Sequence, residues 1–165
     1  MGDWETAQSF FDKDKHALTD KLNFNGNRTL HVAIGNPENI GFLERLLDMI
    51  DADSLPSLVD DKQQNALHYA AALDNTLAAR KLVERNPYLL FAADYEKTKL
   101  PIHLAVLNSN KTTFLYLFEV CKQHIGLSQE DGYYNPFEGE KGVLLLNSTI
   151  WSGFLGEVYS IVYVS

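Results

Sequence analysis

Cysteine is almost absent from this 165-residue chain: Cys121 stands alone, so no disulfide can close within it, and a reducing, cytoplasmic setting is expected. Basic charge is also short. Fourteen Lys and Arg face twenty-two Asp and Glu, for a formal net charge of −8. That balance excludes the basic stripe a nucleic-acid partner needs and favours a neutral or basic protein partner. No stretch reaches the ~18–20 apolar residues that cross a bilayer. The nearest candidate, residues 142–165, holds Glu157 as its only charge but is broken by Asn147, Ser148, Thr149, Ser152 and three glycines. The opening Met1-Gly2-Asp3-Trp4-Glu5 lacks an apolar signal core, so the sequons at Asn27, Asn110 and Asn147 read as chance matches. Missing too are G-x-x-x-x-G-K, G-x-G-x-x-G, G-x-S-x-G and H-E-x-x-H, so no enzyme, cofactor or metal is expected.

What the chain has is one short motif in three near-copies: Leu30-His31-Val32-Ala33, Leu67-His68-Tyr69-Ala70-Ala71 and Ile102-His103-Leu104-Ala105-Val106. The histidines lie 37 and then 35 residues apart. A motif returning every ~20–50 residues marks a stacked-repeat architecture, in which each unit buries its apolar face only against its neighbours. Period and motif together resemble the ankyrin family across nearly the whole chain. The resemblance implies an all-α fold, an ankyrin-repeat solenoid of helix-turn-helix pairs joined by hairpin-like loops.

In an ankyrin unit a small residue falls six positions after the motif histidine and a large apolar pair at +14 and +15. These are Asp74 and Leu82-Val83 after His68, and Ser109 and Leu117-Phe118 after His103. After His31 the pair is Leu46-Leu47, one position late, which places an extra residue in the turn holding Asn36-Pro37. The same ruler finds two units without the histidine. Gly2 takes the +6 place and Phe10-Phe11 the apolar pair, giving a half unit with only its second helix. Near the other end, Gly142-Val143-Leu144-Leu145-Leu146-Asn147 puts Asn147 at zero, Gly153 at +6 and Ile161-Val162 as the pair. Two short helices are predicted there instead of a membrane span.

The units then run 1–22, 23–59, 60–94, 95–138 and 139–165, a single array. Helical stripes support this: Trp4, Ala7 and Phe11 form one, and Phe42, Leu43, Leu46, Leu47 and Ile50 another. Pro37, Pro56, Pro87 and Pro101 fall at loops or helix starts, where a missing N–H does no harm. The stretch from Gly132 to Gly139, with Pro136 inside, is an irregular loop and makes the 44-residue step from His103 to Asn147 an insertion.

A closer likeness, to the plant ankyrin-repeat membrane proteins that end in a Pro-Gly-Gly domain (the accelerated-cell-death type), rests on residues 2–7, Ala17-Leu18-Thr19, residues 25–33 and residues 84–90. In that subfamily the array precedes several transmembrane helices, so the chain looks like a fragment or truncated product, with residues 159–165 a candidate non-native tail. The family's threonine before Pro-Leu-His is Arg28, Asn65, Leu100 and Leu144 here, of which only Asn65 suits a helix cap.

The resemblance makes His31, His68 and His103 structural, each near the start of its own helix and bonded to loop backbone. Cys121 and His124 are spaced C-x-x-H but lack the second pair a metal site needs. Asp60-Asp61 and Asp12/Asp14 are expected to be solvated loop residues. Family analogy exposes positions −9, −7, −6, −4, +4 and +5: Leu22, Phe24, Asn25, Asn27, Gly35 and Asn36, then Val59, Asp61, Lys62, Gln64, Ala72 and Leu73, then Asp94, Glu96, Lys97, Lys99, Leu107 and Asn108. Phe24, Leu73 and Leu107 are the apolar anchors among polar neighbours. The leading expectation is a non-catalytic protein–protein interaction scaffold. The alternatives are the cytosolic regulatory portion of a membrane-anchored stress or defence signalling protein, and an enzyme or metal protein using the repeat histidines.

Overall fold

The computed structural model describes residues 4–154 and 156, and these form helices and turns with no β-strand. In chain order the helices are α1 (Trp4–Lys13), α2 (Thr29–Ile34), α3 (Ile40–Met49), α4 (Ala66–Ala72), α5 (Thr76–Arg85), α6 (Pro101–Leu107), α7 (Lys111–Gln123) and α8 (Gly139–Trp151). Short 3-10 turns at Lys15–Leu18, Pro37–Asn39, Ala52–Ser57, Pro87–Leu90 and Ile125–Gln129 join them. The all-α class is as expected. The apolar pair Ile161-Val162 and the last predicted helix lie outside the described residues. Among those described, no helix is long and apolar enough to cross a membrane.

Local chemistry sets where each helix begins. Asn65 caps α4, its Oδ1 accepting from the backbone N–H of Leu67 (2.9 Å) and His68 (3.2 Å). Leu100 has no capping atom, and α6 starts instead on Pro101, whose missing N–H is harmless in a first turn. Asn75 caps α5 through Oδ1 to the N–H of Ala78, while its Nδ2 donates back to the Ile34 carbonyl at the end of α2. Asn110 likewise donates to the Ala71 and Ala72 carbonyls at the end of α4. Each of these asparagines therefore satisfies the orphan carbonyls of the preceding unit's first helix.

Those bonds accompany two layers of helices. One layer is α2, α4, α6 and α8, each packed on the next; the other is α3, α5 and α7. Between them lies a core that includes Ile34, Leu43, Leu46, Leu67, Leu82, Ile102, Phe114 and Leu117, all buried. In α4 the buried Ala66, Ala70 and Ala71 keep the helix narrow enough to be flanked by both α2 and α6. The extra residue expected near Asn36-Pro37 is accommodated by the Pro37–Asn39 turn, which has no counterpart between α4 and α5.

The last unit departs from the expected register at its start. Its end fits: Gly153 has φ +75, and Phe154 N–H bonds the Thr149 carbonyl as Asn75 bonds Ala70 and Asn110 bonds Ala105. But α8 runs 13 residues and begins at Gly139, well before Asn147, which is exposed. Gly142 is in the first turn of α8, where an added Cβ would sit 2.4 Å from the Phe137 carbonyl oxygen. With no Asx cap and a run of leucines, helix simply extends backwards through this segment.

At the other end, α1 buries Phe11 only, with the Trp4 ring set edge-on to Phe42 at 5.1 Å. Phe10, expected to pair with Phe11 on the packed face, is 58% exposed, since helical neighbours point about 100° apart. In hydrogen exchange, amides of α1 should exchange at least about tenfold faster than those of α5. Equal protection would mean α1 is held as firmly as the centre of the stack.

Candidate interaction surface

Three imidazoles tie each unit to the next: His31 and His68 reach turn carbonyls, whereas His103 reaches the first turn of α8 instead of the expected loop backbone. Nδ1 of His31, His68 and His103 accepts the backbone N–H of Arg28, Asn65 and Leu100 respectively, at 3.1–3.2 Å. That fixes the tautomer, so each Nε2–H donates onward: His31 to the Gln64 carbonyl (3.0 Å), His68 to Lys99 (3.4 Å) and His103 to Lys141 (3.0 Å). Both ring nitrogens are spent and all three rings are buried. Burial lowers their pKa values, to about 4 for His68 and His103. Cys121 is also wholly buried, and burial pushes its thiol up. Among the described residues no group of three or more His, Cys, Asp or Glu could hold a metal.

The acceptor carbonyls of Gln64 and Lys99 close two of three similar turns. In each, an Asx side chain gathers backbone N–H groups: Asn23 Oδ1 from Asn25 and Asn27, Asp60 Oδ1 from Lys62 and Gln64, Asp94 Oδ1 from Thr98 and Lys99. Each then passes a residue with positive φ, at Gly26, Gln63 and Lys97. Gly26 is required twice over, because a Cβ there would lie 2.5 Å from Asp61 Oδ1 of the neighbouring turn. The tips are stitched by backbone bonds, Asp61 N–H to Asn25 and Tyr95 N–H to Lys62.

These turns correct two expectations. Asp60 is not solvated: it is buried, and the single Tyr69 hydroxyl proton is shared between its Oδ2 (3.0 Å) and Asn27 Oδ1 (2.7 Å). Asp94, expected to be exposed, is buried as well, and its carboxylate organises its turn. The third turn carries one more residue, Thr98, between the positive-φ position and the closing carbonyl. Positions counted back from His103 therefore slip by one, and the true counterpart of Phe24 and Asp61 is Tyr95, which is 74% exposed and was missed. The repeated Asn23, Asp60 and Asp94 were the signal that would have aligned it.

The other site residues scatter between tip and helix edge. Phe24 (92% exposed), Asn25, Asp61, Lys62, Glu96 and Lys97 occupy the tips, with Asp61 paired to Lys21 at 2.5 Å. Asn27, Gln64 and Lys99 are half-buried at the turn exits, where their carbonyls close the turns. Asn36, Leu73, Leu107 and Asn108 lie exposed beyond or at the ends of α2, α4 and α6, joined by the unforeseen Val32. Between the second and third tips a cleft of about 390 Å³ opens onto Leu104, walled by Lys62, Gln64, Tyr95 and Glu96. Comparison with family models, with curated proteins and with solved structures found no match.

Two outcomes test this division of roles. Asp94→Ala should cost about 1–3 kcal/mol of unfolding free energy by stranding buried N–H groups, whereas Glu96→Ala on the exposed tip should change it by less than about 0.5 kcal/mol. The histidines set a pH dependence. Their folded pKa values lie below the ordinary 6.5, so the unfolded chain binds protons the folded one refuses. That contribution is complete above pH 6.5 and is lost as pH falls toward about 4, by up to about 1.4 kcal/mol per pH unit for each ring. Urea unfolding at stepped pH measures it; ring signals of His68 and His103 that titrate near 6.5 would contradict it.

Proposed function

We propose that this chain is an ankyrin-type array acting as a non-catalytic scaffold, which binds another protein across its turn tips and the exposed ends of α2, α4 and α6. The observation that carries the reading is the row of tips joined by backbone hydrogen bonds, which presents Phe24 and Tyr95 outward from a rigid base. Leu73 and Leu107, 56% and 46% exposed, continue that row at the helix ends. Apolar anchors ringed by Asn25, Lys62, Glu96 and Asn108 have the make-up of an interface centre with a polar rim. The tips are ordered before any partner arrives, so binding forfeits little loop entropy.

Affinity capture with the whole chain as bait tests the proposal, repeated with Phe24→Glu, Leu73→Glu and Leu107→Glu together. The exposed positions should leave the melting temperature within about 2 °C of the parent, while recovery of the partner falls at least tenfold. Undiminished recovery by the triple variant would place the binding face elsewhere.

A further inference from the structure

A second recess lies behind the turns, away from the cleft on Leu104. It is a groove of about 640 Å³, within the roughly 300–1,000 Å³ typical of ligand pockets. Four separate segments build it, among them the second hairpin turn through Gln63. The Ala52–Ser57 turn gives Asp53 and Pro56, the third hairpin turn gives Tyr95 and Lys97, and the inserted loop gives Asp131, Tyr133 and Tyr134.

That inserted loop plays no part in the interaction surface above, yet it is firmly held. Tyr134 N–H donates to the Phe91 carbonyl at 2.9 Å, and the Tyr133 ring rests 4.9 Å from Tyr88. Tyr88 Oη donates to Glu130, and the Phe137 ring packs edge-on against Phe118 at 5.4 Å. An irregular loop anchored at four points, with two tyrosines turned into a groove, is a wall.

The chemistry of the walls selects the occupant. Four charged groups face the recess: Asp53, Asp94, Asp131 and Lys97. Asp94 is committed to its turn and to Lys99. Asp53 and Asp131 are exposed and have no cation partner among the described residues. Tyrosine faces beside unpartnered carboxylates attract a cation with an apolar stem, which an aromatic ring can hold while a carboxylate takes its head. Lys141 already lies this way, 4.2 Å over the Tyr134 ring.

We propose that this groove docks an extended cationic peptide segment, with arginine or lysine stems lying on Tyr95 and Tyr133 and their heads against Asp53 and Asp131. The formal charge of −8 draws such a segment in from a distance. The rings confine it to one place.

The test is amide chemical-shift mapping on the ¹⁵N-labelled full chain in physiological salt, titrated with a capped Gly-Arg repeat peptide and a matched Gly-Glu peptide. The Gly-Arg peptide should give saturable shifts confined to Asp53, Ser57, Val59, Gln63, residues 92–97 and residues 131–134, and the Gly-Glu peptide none. Asp53→Asn with Asp131→Asn should weaken binding at least tenfold, and Tyr95→Ala at least threefold; Tyr95 is exposed, so its loss leaves the fold intact. Shifts spread over all the acidic surface, or an affinity indifferent to these variants, overturn the proposal. Phe24→Glu, Leu73→Glu and Leu107→Glu lie outside the groove and should leave the titration unchanged, which separates this site from the scaffold surface.

Discussion

The two-sided hydrogen bond of the buried imidazole is what the rest of this structure hangs on. One nitrogen holds the first N–H of its own helix, and the other reaches a carbonyl of the next unit, so a single ring fixes both a helix start and the distance to its neighbour. The arrangement works only for a neutral ring, because Nδ1 must accept while Nε2 donates. Burial supplies that neutrality. Asn75 and Asn110 perform the complementary service at the helix ends, and between them these side chains define the spacing of both layers.

Rigid turns follow from rigid units. The carbonyls that His31 and His68 grip are those that close the second and third hairpin turns, and the Asx residues inside complete the bonding of each loop. Side chains facing outward from such a turn are held in place without contributing to its stability, so they are free to serve recognition. Two such surfaces are the ones proposed for recognition: an apolar row at the tips and helix ends, and a tyrosine-walled groove on the other side of the third turn. Tyr95 borders clefts on both sides of its turn and is where the two settings meet.

The histidine motif was legible because its role is local: a ring three residues into a helix and the N–H it caps lie close in sequence. Apolar stripes in α3 and the cap at Asn65 were legible for the same reason. The exposed turn positions were less so. One inserted residue, Thr98, was enough to put buried Asp94 on the contact list and leave out Tyr95. Counting from the histidine assumes equal turns, and the turns are unequal. Asn147 fails similarly. The turn at Gly153 obeys the ruler, but α8 starts at Gly139, eight residues before Asn147, because no Asx cap stops the helix from extending backwards.

By itself the sequence determined the helical class, the place of the histidine motif at a helix start and the structural duty of the histidines, since each follows from periodicity and from bonds spanning a few residues. Only the tertiary structure decided which turn residues face solvent. Asp60 and Asp61 are adjacent and chemically alike, yet one is buried under Tyr69 and the other pairs with Lys21 at the surface. Tyr69 reaches Asp60 from nine residues on and Lys21 reaches Asp61 from 40 residues back, and both are brought there by packing that the pair's own chemistry does not carry.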